Sequence, residues 1–258
     1  MATISWLSVA PIKGLALTQR DDLTLESFGA LENRRFHLLD ERGKFVNGLM
    51  RLERSLFPVV PRWDPDADTL SLTFPDGSVV DGEVELGEAV STWFYNRDEP
   101  GRVVRGPWAE ALSEYAGREL RLVRTDAPGR AVDRVDGPVS IVSDESVDEL
   151  AQQAGVDSAD ARRFRMLIGV RGDAPHVEDT WVGRDVRIGE SVVRVHEQVA
   201  RCAITTKNPD TGERDLDTLR VIKAYRGVRG EKHLDFGVYG EVVTPGRVRV
   251  GDAVESLA

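Results

Sequence analysis

NRRFHLLDERGKFVNG, residues 33–48, carries two short runs, RRFHLLD and KFVNG, on either side of Asp40-Glu41-Arg42-Gly43. Runs of this length separated by a charged, Gly-containing cluster read as strand, turn, strand. The pattern extends in both directions. ISWLSV and DLTLESF precede it, and FPVVPRW, TLSLTF and SVVDGEV come after it, divided by Asp64-Pro65-Asp66 and Pro75-Asp76-Gly77. Successive short strands at this spacing imply a barrel or a tightly curled sheet over residues 3–85.

Beyond that, Pro107–Ala116 (PWAEALSEYA) reads as a short helix, with Pro at its start and Gly117 just past its end. TDAPGRAVDRVDGP, 125–138, is rich in turn-forming residues and is the expected boundary between two halves. The second half opens with PVSIVS running into DESVDELAQQAG, where Val147, Leu150, Ala151 and Ala154 share a helical face and Gly155 caps the end. An Arg-rich turn (DARRFRMLIGV), short strands in DVRIGESVVRVHEQV, a helix near DTLRVIKAYR and a closing GRVRVGDAVESLA complete the chain. The expected class is mainly β, barrel-type, with a few short helices, in two closely associated domains at 1–122 and 123–258.

Composition narrows the function. The 258 residues are 41% hydrophobic, enough for a sizeable core, and carry a formal net charge of -10. That charge argues against nucleic acid as a partner and requires any anion site to be a local basic pocket. There is no apolar run of the roughly 20 residues needed to span a bilayer, so no membrane partner is expected. MATISWLSVAPIKG lacks the basic start and apolar core of a signal peptide, which makes a cytoplasmic location the expectation. The four histidines show no paired metal spacing.

The single cysteine, Cys202, lies in RCAITTKNPDTG, 201–212. One thiol cannot hold an iron-sulfur cluster, which takes about four ligands. Arg201 and Lys207 would favour a thiolate if they face the sulfur, and the NPDTG turn could set a strand end at a pocket rim. The plainer reading is a small buried residue packed in a strand.

RCAITTKNPDTG, TLRVIKAYR, Phe236-Gly237 and GRVRVGDAVE together resemble the MOSC domain, the molybdenum cofactor sulfurase C-terminal domain. VAPIKGLAL and NRRFHLLDERGKFVNG resemble the β-barrel domain that precedes it in the amidoxime-reducing subgroup. The resemblance runs along nearly the full chain in the same order. It implies that Cys202 is the protein ligand of molybdenum, a soft thiolate suited to a sulfur-rich metal centre. Lys13 in PIKG, Arg34 in NRRF and Arg165 in RFRM match cofactor-contacting blocks, where Arg can grip phosphate or pterin oxygens with two parallel bonds. Arg201, Thr205 and Thr206 join the cofactor-binding set, and Ser143 matches a contacting position while also suiting a helix N-cap. Asp179 matches a block near the metal, where it would position substrate or relay a proton.

The resemblance implies a molybdenum-cofactor oxidoreductase that reduces N-hydroxylated or N-oxygenated small molecules. With no cluster of its own, it would draw electrons from a separate reductase or ferredoxin-like donor. Three positions depart from the subgroup's pattern: Gly14 where Ser is usual, Met166-Leu167 where Pro-Asn is usual, and Tyr239 where Asn is common. Two alternatives stand beside this reading, a sulfur or cofactor carrier acting through Cys202, and a binding module with an inert cysteine.

Overall fold

The computed structural model describes residues 2–257 apart from 47, 51, 127–131, 133–136 and 173. The expected domain boundary therefore falls largely outside the described residues, as does Asn47 of the KFVNG run. The chain begins with β1 (Ala2–Val9), β2 (Thr18–Arg20), β3 (Asp22–Glu26), β4 (Gly29–Ala30) and β5 (Phe36–Asp40). Next come β6 (Val60–Asp64), β7 (Thr69–Thr73), β8 (Val79–Glu83), β9 (Glu85–Phe94), β10 (Arg97–Arg105), α1 (Trp108–Ala116) and β11 (Leu120–Thr125). The second half supplies β12 (Val139–Ser143), α2 (Asp144–Ala154), β13 (Ile168–Arg171), β14 (Asp185–Ile188) and β15 (Ser191–Ala200). It ends with α3 (Thr218–Arg226), β16 (Asp235–Thr244), β17 (Gly246–Arg249) and β18 (Ala253–Ser256).

The mainly β class with a few short helices is what the structure has. Seven strands close a barrel in the order β13, β12, β16, β15, β14, β18, β1 and back to β13, with β2 added outside β1. Only β1 comes from the first half. It bridges the ring because both of its edges find partners, Leu7 opposite Ile168 on one side and Thr3 opposite Ala253 on the other. Ile4, Leu7 and Val9 are buried with Ile141, Ile168, Val186, Val193 and Val238 in the barrel interior. The other first-half strands build separate sheets, β5-β11-β10-β9 and β6-β7-β8, while β3 pairs with β17 from the C-terminal end. The KFVNG segment makes a single bridge, Phe45 to Leu39.

The helices form where the caps dictate. In α1, Trp108, Leu112 and Ala116 recur at four-residue intervals and are buried, and Gly117 ends the helix in the left-handed region. At α2 the Ser143 side chain accepts a hydrogen bond from the Ser146 amide and Gly155 closes the far end. At α3, Asp217 accepts from the Arg220 amide. A third apolar cluster, with Val142, Leu150, Phe164, Val199, Ile222 and Phe236, joins α2 and α3 to the barrel. Among the described residues no helix is long and apolar enough to cross a membrane.

Candidate functional site

Strand β15 ends at Ala200, and the chain turns into a 3-10 helix, Ala203–Thr206, with Cys202 at its N-cap position. Cys202 is exposed, so the buried-packing reading of the thiol does not hold. It lines a cavity of about 430 Å³ together with Lys13, Arg34, Arg165, Arg201 and Thr205. Six of the nine sequence-selected residues thus meet in one place, drawn from distant parts of the chain. Phe57, Tyr95, Phe164, Ile204 and Tyr239 supply much of the apolar wall. Among the described lining residues four are cationic and none is acidic. In a chain of net charge -10 this is the local basic pocket that an anionic ligand requires.

The two cavity arginines at the junction of the halves are placed by strained backbone. Arg34 has φ 57° and Arg165 φ 52°, left-handed values that non-glycine residues rarely adopt. Each is held by the other half. The Arg34 guanidinium donates to the Arg165 carbonyl (3.1 Å), and that of Arg165 donates to the Leu15 carbonyl (2.7 Å). The Arg165 guanidinium also sits 5.6 Å from the Phe57 ring centre, and the Lys13 ammonium 5.4 Å from that of Phe45. Strain of this kind costs of order 1–3 kcal/mol per residue and persists where the surroundings impose it, characteristically at ligand sites.

Arg201 does different work. Its guanidinium donates to the carbonyls of Phe164 (3.0 Å) and Phe236 (2.7 Å) and lies over the Phe164 ring, bracing the wall behind the cysteine. Phe164 and Phe236 stack at 4.2 Å. The neighbouring 3-10 helix, Ala161–Phe164, fixes the NPDTG turn. Arg162 bonds Asp210 through both oxygens, and Arg163 bonds Asp215 at 2.6 and 2.8 Å and the Lys207 carbonyl at 3.0 Å. The Arg163 guanidinium holds the Asp215 carboxyl below its usual range.

Three selected residues lie elsewhere. Thr206 is buried and donates to the Ala203 carbonyl (2.8 Å), a local bond inside its own 3-10 helix. Neither threonine is in a strand; Thr205 shares a 2.6 Å hydroxyl contact with Thr218 of α3. Ser143 is fully buried beneath α2, 2.6 Å from the Ser146 hydroxyl, which in turn donates to Glu178 (2.9 Å). Asp179 accepts from Arg226 of α3 at 2.5 Å. These two belong to a buried polar group that includes His176, 3.2 Å from the Tyr225 hydroxyl. Burial and the nearby Arg226 lower the His176 pKa to about 4, and burial raises that of Glu178. The group touches the cavity wall through Phe236, whose ring stands edge-on to His176 at 5.6 Å.

Of the three departures, Gly14 and Tyr239 line the cavity. Met166 does not: it is buried, with its sulfur 2.8 Å from Arg201, and Leu167 enters the barrel core. The sequence reading misses Tyr95, Leu49 and Phe57, whose part in the cavity depends on loops and a hairpin meeting from different sheets.

Known domain models and curated relatives match both halves of the chain. The MOSC domain model matches residues 117–255, and that of the MOSC N-terminal beta barrel domain matches 1–103. The chain is 25% identical to "Mitochondrial amidoxime-reducing component 1" of Mus musculus, over 100% of this chain and 83% of that protein. It is 34% identical to "Mitochondrial amidoxime reducing component 2" of Macaca fascicularis, over 76% of this chain and 59% of that one. To "Molybdenum cofactor sulfurase" of Caenorhabditis briggsae it is 30% identical over 52% of this chain, spanning 18% of that protein. With one domain model covering more than half of its residues and the companion barrel model ahead of it, the chain belongs to the MOSC domain family.

Proposed function

We propose that this protein binds the molybdenum cofactor and reduces N-hydroxylated or other N-oxygenated small molecules with electrons from a separate donor. The observation that carries the reading is an exposed thiol, Cys202, on the wall of a cavity ringed by Lys13, Arg34, Arg165 and Arg201 and free of acidic lining among the described residues. That donor set fits the cofactor: a soft sulfur for the metal and cations for its phosphate and pterin oxygens. When bound, the group supplies a two-electron redox centre. The chain does the rest. Cys202 serves as metal ligand, Lys13, Arg34 and Arg165 grip the anionic groups, and the Thr205 hydroxyl is a further polar contact. Arg201 holds the cysteine wall in place, and the apolar side chains around it exclude water.

The overall conversion takes R-NH-OH, two electrons and two protons to R-NH2 and water. One cysteine leaves no room for a cluster in this chain, so a reductase or ferredoxin-like partner supplies the electrons. The relatives named as sulfurases, together with the exposure of the thiol, favour one second reading, a carrier that loads and releases the cofactor. The test is molybdenum content of protein from a cofactor-making host, beside Cys202→Ser, and then turnover of N-oxygenated compounds with an added reductant. Near-stoichiometric metal in the wild type, loss or spectral change in the variant, and turnover support the enzyme. Bound cofactor that is released readily without turnover supports the carrier; absence of both metal and pterin overturns both readings.

A further inference from the structure

The long β9–β10 hairpin reaches the cavity by its tip. Phe94, the last residue of β9, is fully buried, with its ring 5.0 Å from His37 and 4.5 Å from Phe45. The next residue, Tyr95, is 71% exposed and yet lines the cavity that holds Cys202. It opens a two-residue turn and has φ 53°. Glycine is the usual occupant of a left-handed first position in such turns, because a side chain there costs backbone strain. A large exposed aromatic residue is therefore held in a disfavoured conformation by an anchored hairpin, at the mouth of a site. Burial does not explain it, since most of the residue faces solvent. Strain that the fold maintains at a largely exposed side chain beside a cavity marks a functional position.

The geometry points to Tyr95 as a specificity-determining residue whose ring takes the flat face of an aromatic substrate entering the Cys202 cavity. This rests on the proposed reduction of N-oxygenated compounds and names the class within it: N-hydroxy compounds bearing an aryl group. The aryl preference arises from the π faces of Tyr95 and Tyr239 on the cavity wall. Leu49, 45% exposed on the same cavity, gives the mouth a second apolar element.

The test uses the full chain from a cofactor-making host and two probes with one reactive group, N-hydroxybenzamide and its saturated analogue N-hydroxycyclohexanecarboxamide, with affinities measured by calorimetry. Wild type is expected to favour the aryl compound by about three- to tenfold. Tyr95→Phe retains that ratio. Tyr95→Gly brings it to about one while its Tm stays at or above that of wild type, because glycine relaxes the turn. A merely structural tyrosine would give the opposite pair, a lower Tm and an unchanged ratio, and that result overturns the assignment. Failure of wild type to bind either probe, or to distinguish them, overturns it as well. A Tyr95-dependent ratio without turnover leaves the recognition intact and removes the reductase reading instead.

Discussion

Gly237 and Gly14 are both left-handed, φ 76° and 96°, but for different reasons. A Cβ on Gly237 would come within 2.6 Å of the Ile141 carbonyl oxygen and 2.7 Å of the Met166 methyl, and 3.4 Å from the Arg201 guanidinium. The backbone carbonyl has nowhere to go, so the Phe-Gly pair is a packing requirement of the wall behind Cys202. At Gly14 nothing lies within 4 Å of the added atom. We expect Gly237→Ala to cost about 2–4 kcal/mol, strain and overpacking combined, and to displace Arg201 from the wall behind Cys202. Gly14→Ser should cost only the backbone term, about 1–2 kcal/mol. Urea midpoints of the two variants check this, and equal losses would refute the distinction.

Among the elements, the 3-10 helix Val177–Trp181 carries Glu178 beneath α2, fully buried and bonded by Ser146. Burial raises its carboxyl pKa above the ordinary 4.5. A group whose folded pKa lies above its unfolded value contributes stability that is complete below about pH 4.5 and is lost as pH rises through the folded value. His176 runs the other way: lowered from 6.5 to about 4 by burial and Arg226, it remains neutral in the fold, and stability falls as pH drops from 6.5 toward 4. Glu178→Gln keeps the hydrogen bond from Ser146 and removes the buried charge. It should raise Tm at pH 7–8 and flatten the alkaline side of the profile while leaving the acid limb in place. Thermal scans across pH 4–8 would show this; an unchanged alkaline slope would exclude Glu178 as its source.

The same elements show how far a single sequence reaches. Among the described residues three helices are legible, two because their ends carry local signals, Pro107 and Gly117, Ser143 and Gly155, and the third from the run DTLRVIKAYR, whose Asp217 the structure shows as its cap. The β9–β10 hairpin is not, since its inward positions include Glu99, which is buried, and its outward ones include Trp93, which is exposed. An alternation rule has no purchase on such a pattern. Lys13, Arg34, Arg165 and Cys202 emerge from short blocks in a shared order, and they do meet at one cavity. Tyr95 has no local signature, because its position is set by Phe94 packing against His37 and Phe45, which lie some fifty residues earlier in the chain. Ser143 and Asp179 are selected by the same resemblance, yet their surroundings are the buried polar group behind Phe236.

At the scale of the whole molecule, the barrel cannot close without β1, which the chain encodes far ahead of the other six strands. β1 fills the gap between β13 and β18, and the Arg34 and Arg165 side chains cross the junction in opposite directions. Two halves joined only by a linker would melt separately. Here the first half lends a strand to the second half's ring, so loss of β1 packing opens the ring and also removes the carbonyls and loops that hold the cavity arginines. Leu7 is fully buried in the ring interior. Leu7→Ala should cost about 2–5 kcal/mol. More tellingly, it should lower a single calorimetric transition rather than split it, with tryptophan fluorescence and far-UV circular dichroism falling together. Trp63 and Trp108 sit in the first-half core and Trp181 in the barrel, so the fluorescence reports on both sides. If the variant instead shows two transitions, with only the barrel destabilised, the halves are independent and the cavity between them is assembled by docking. In that case the strained Arg34 and Arg165 backbones would be imposed by contact alone, and binding of the proposed cofactor would be expected to raise only the lower transition.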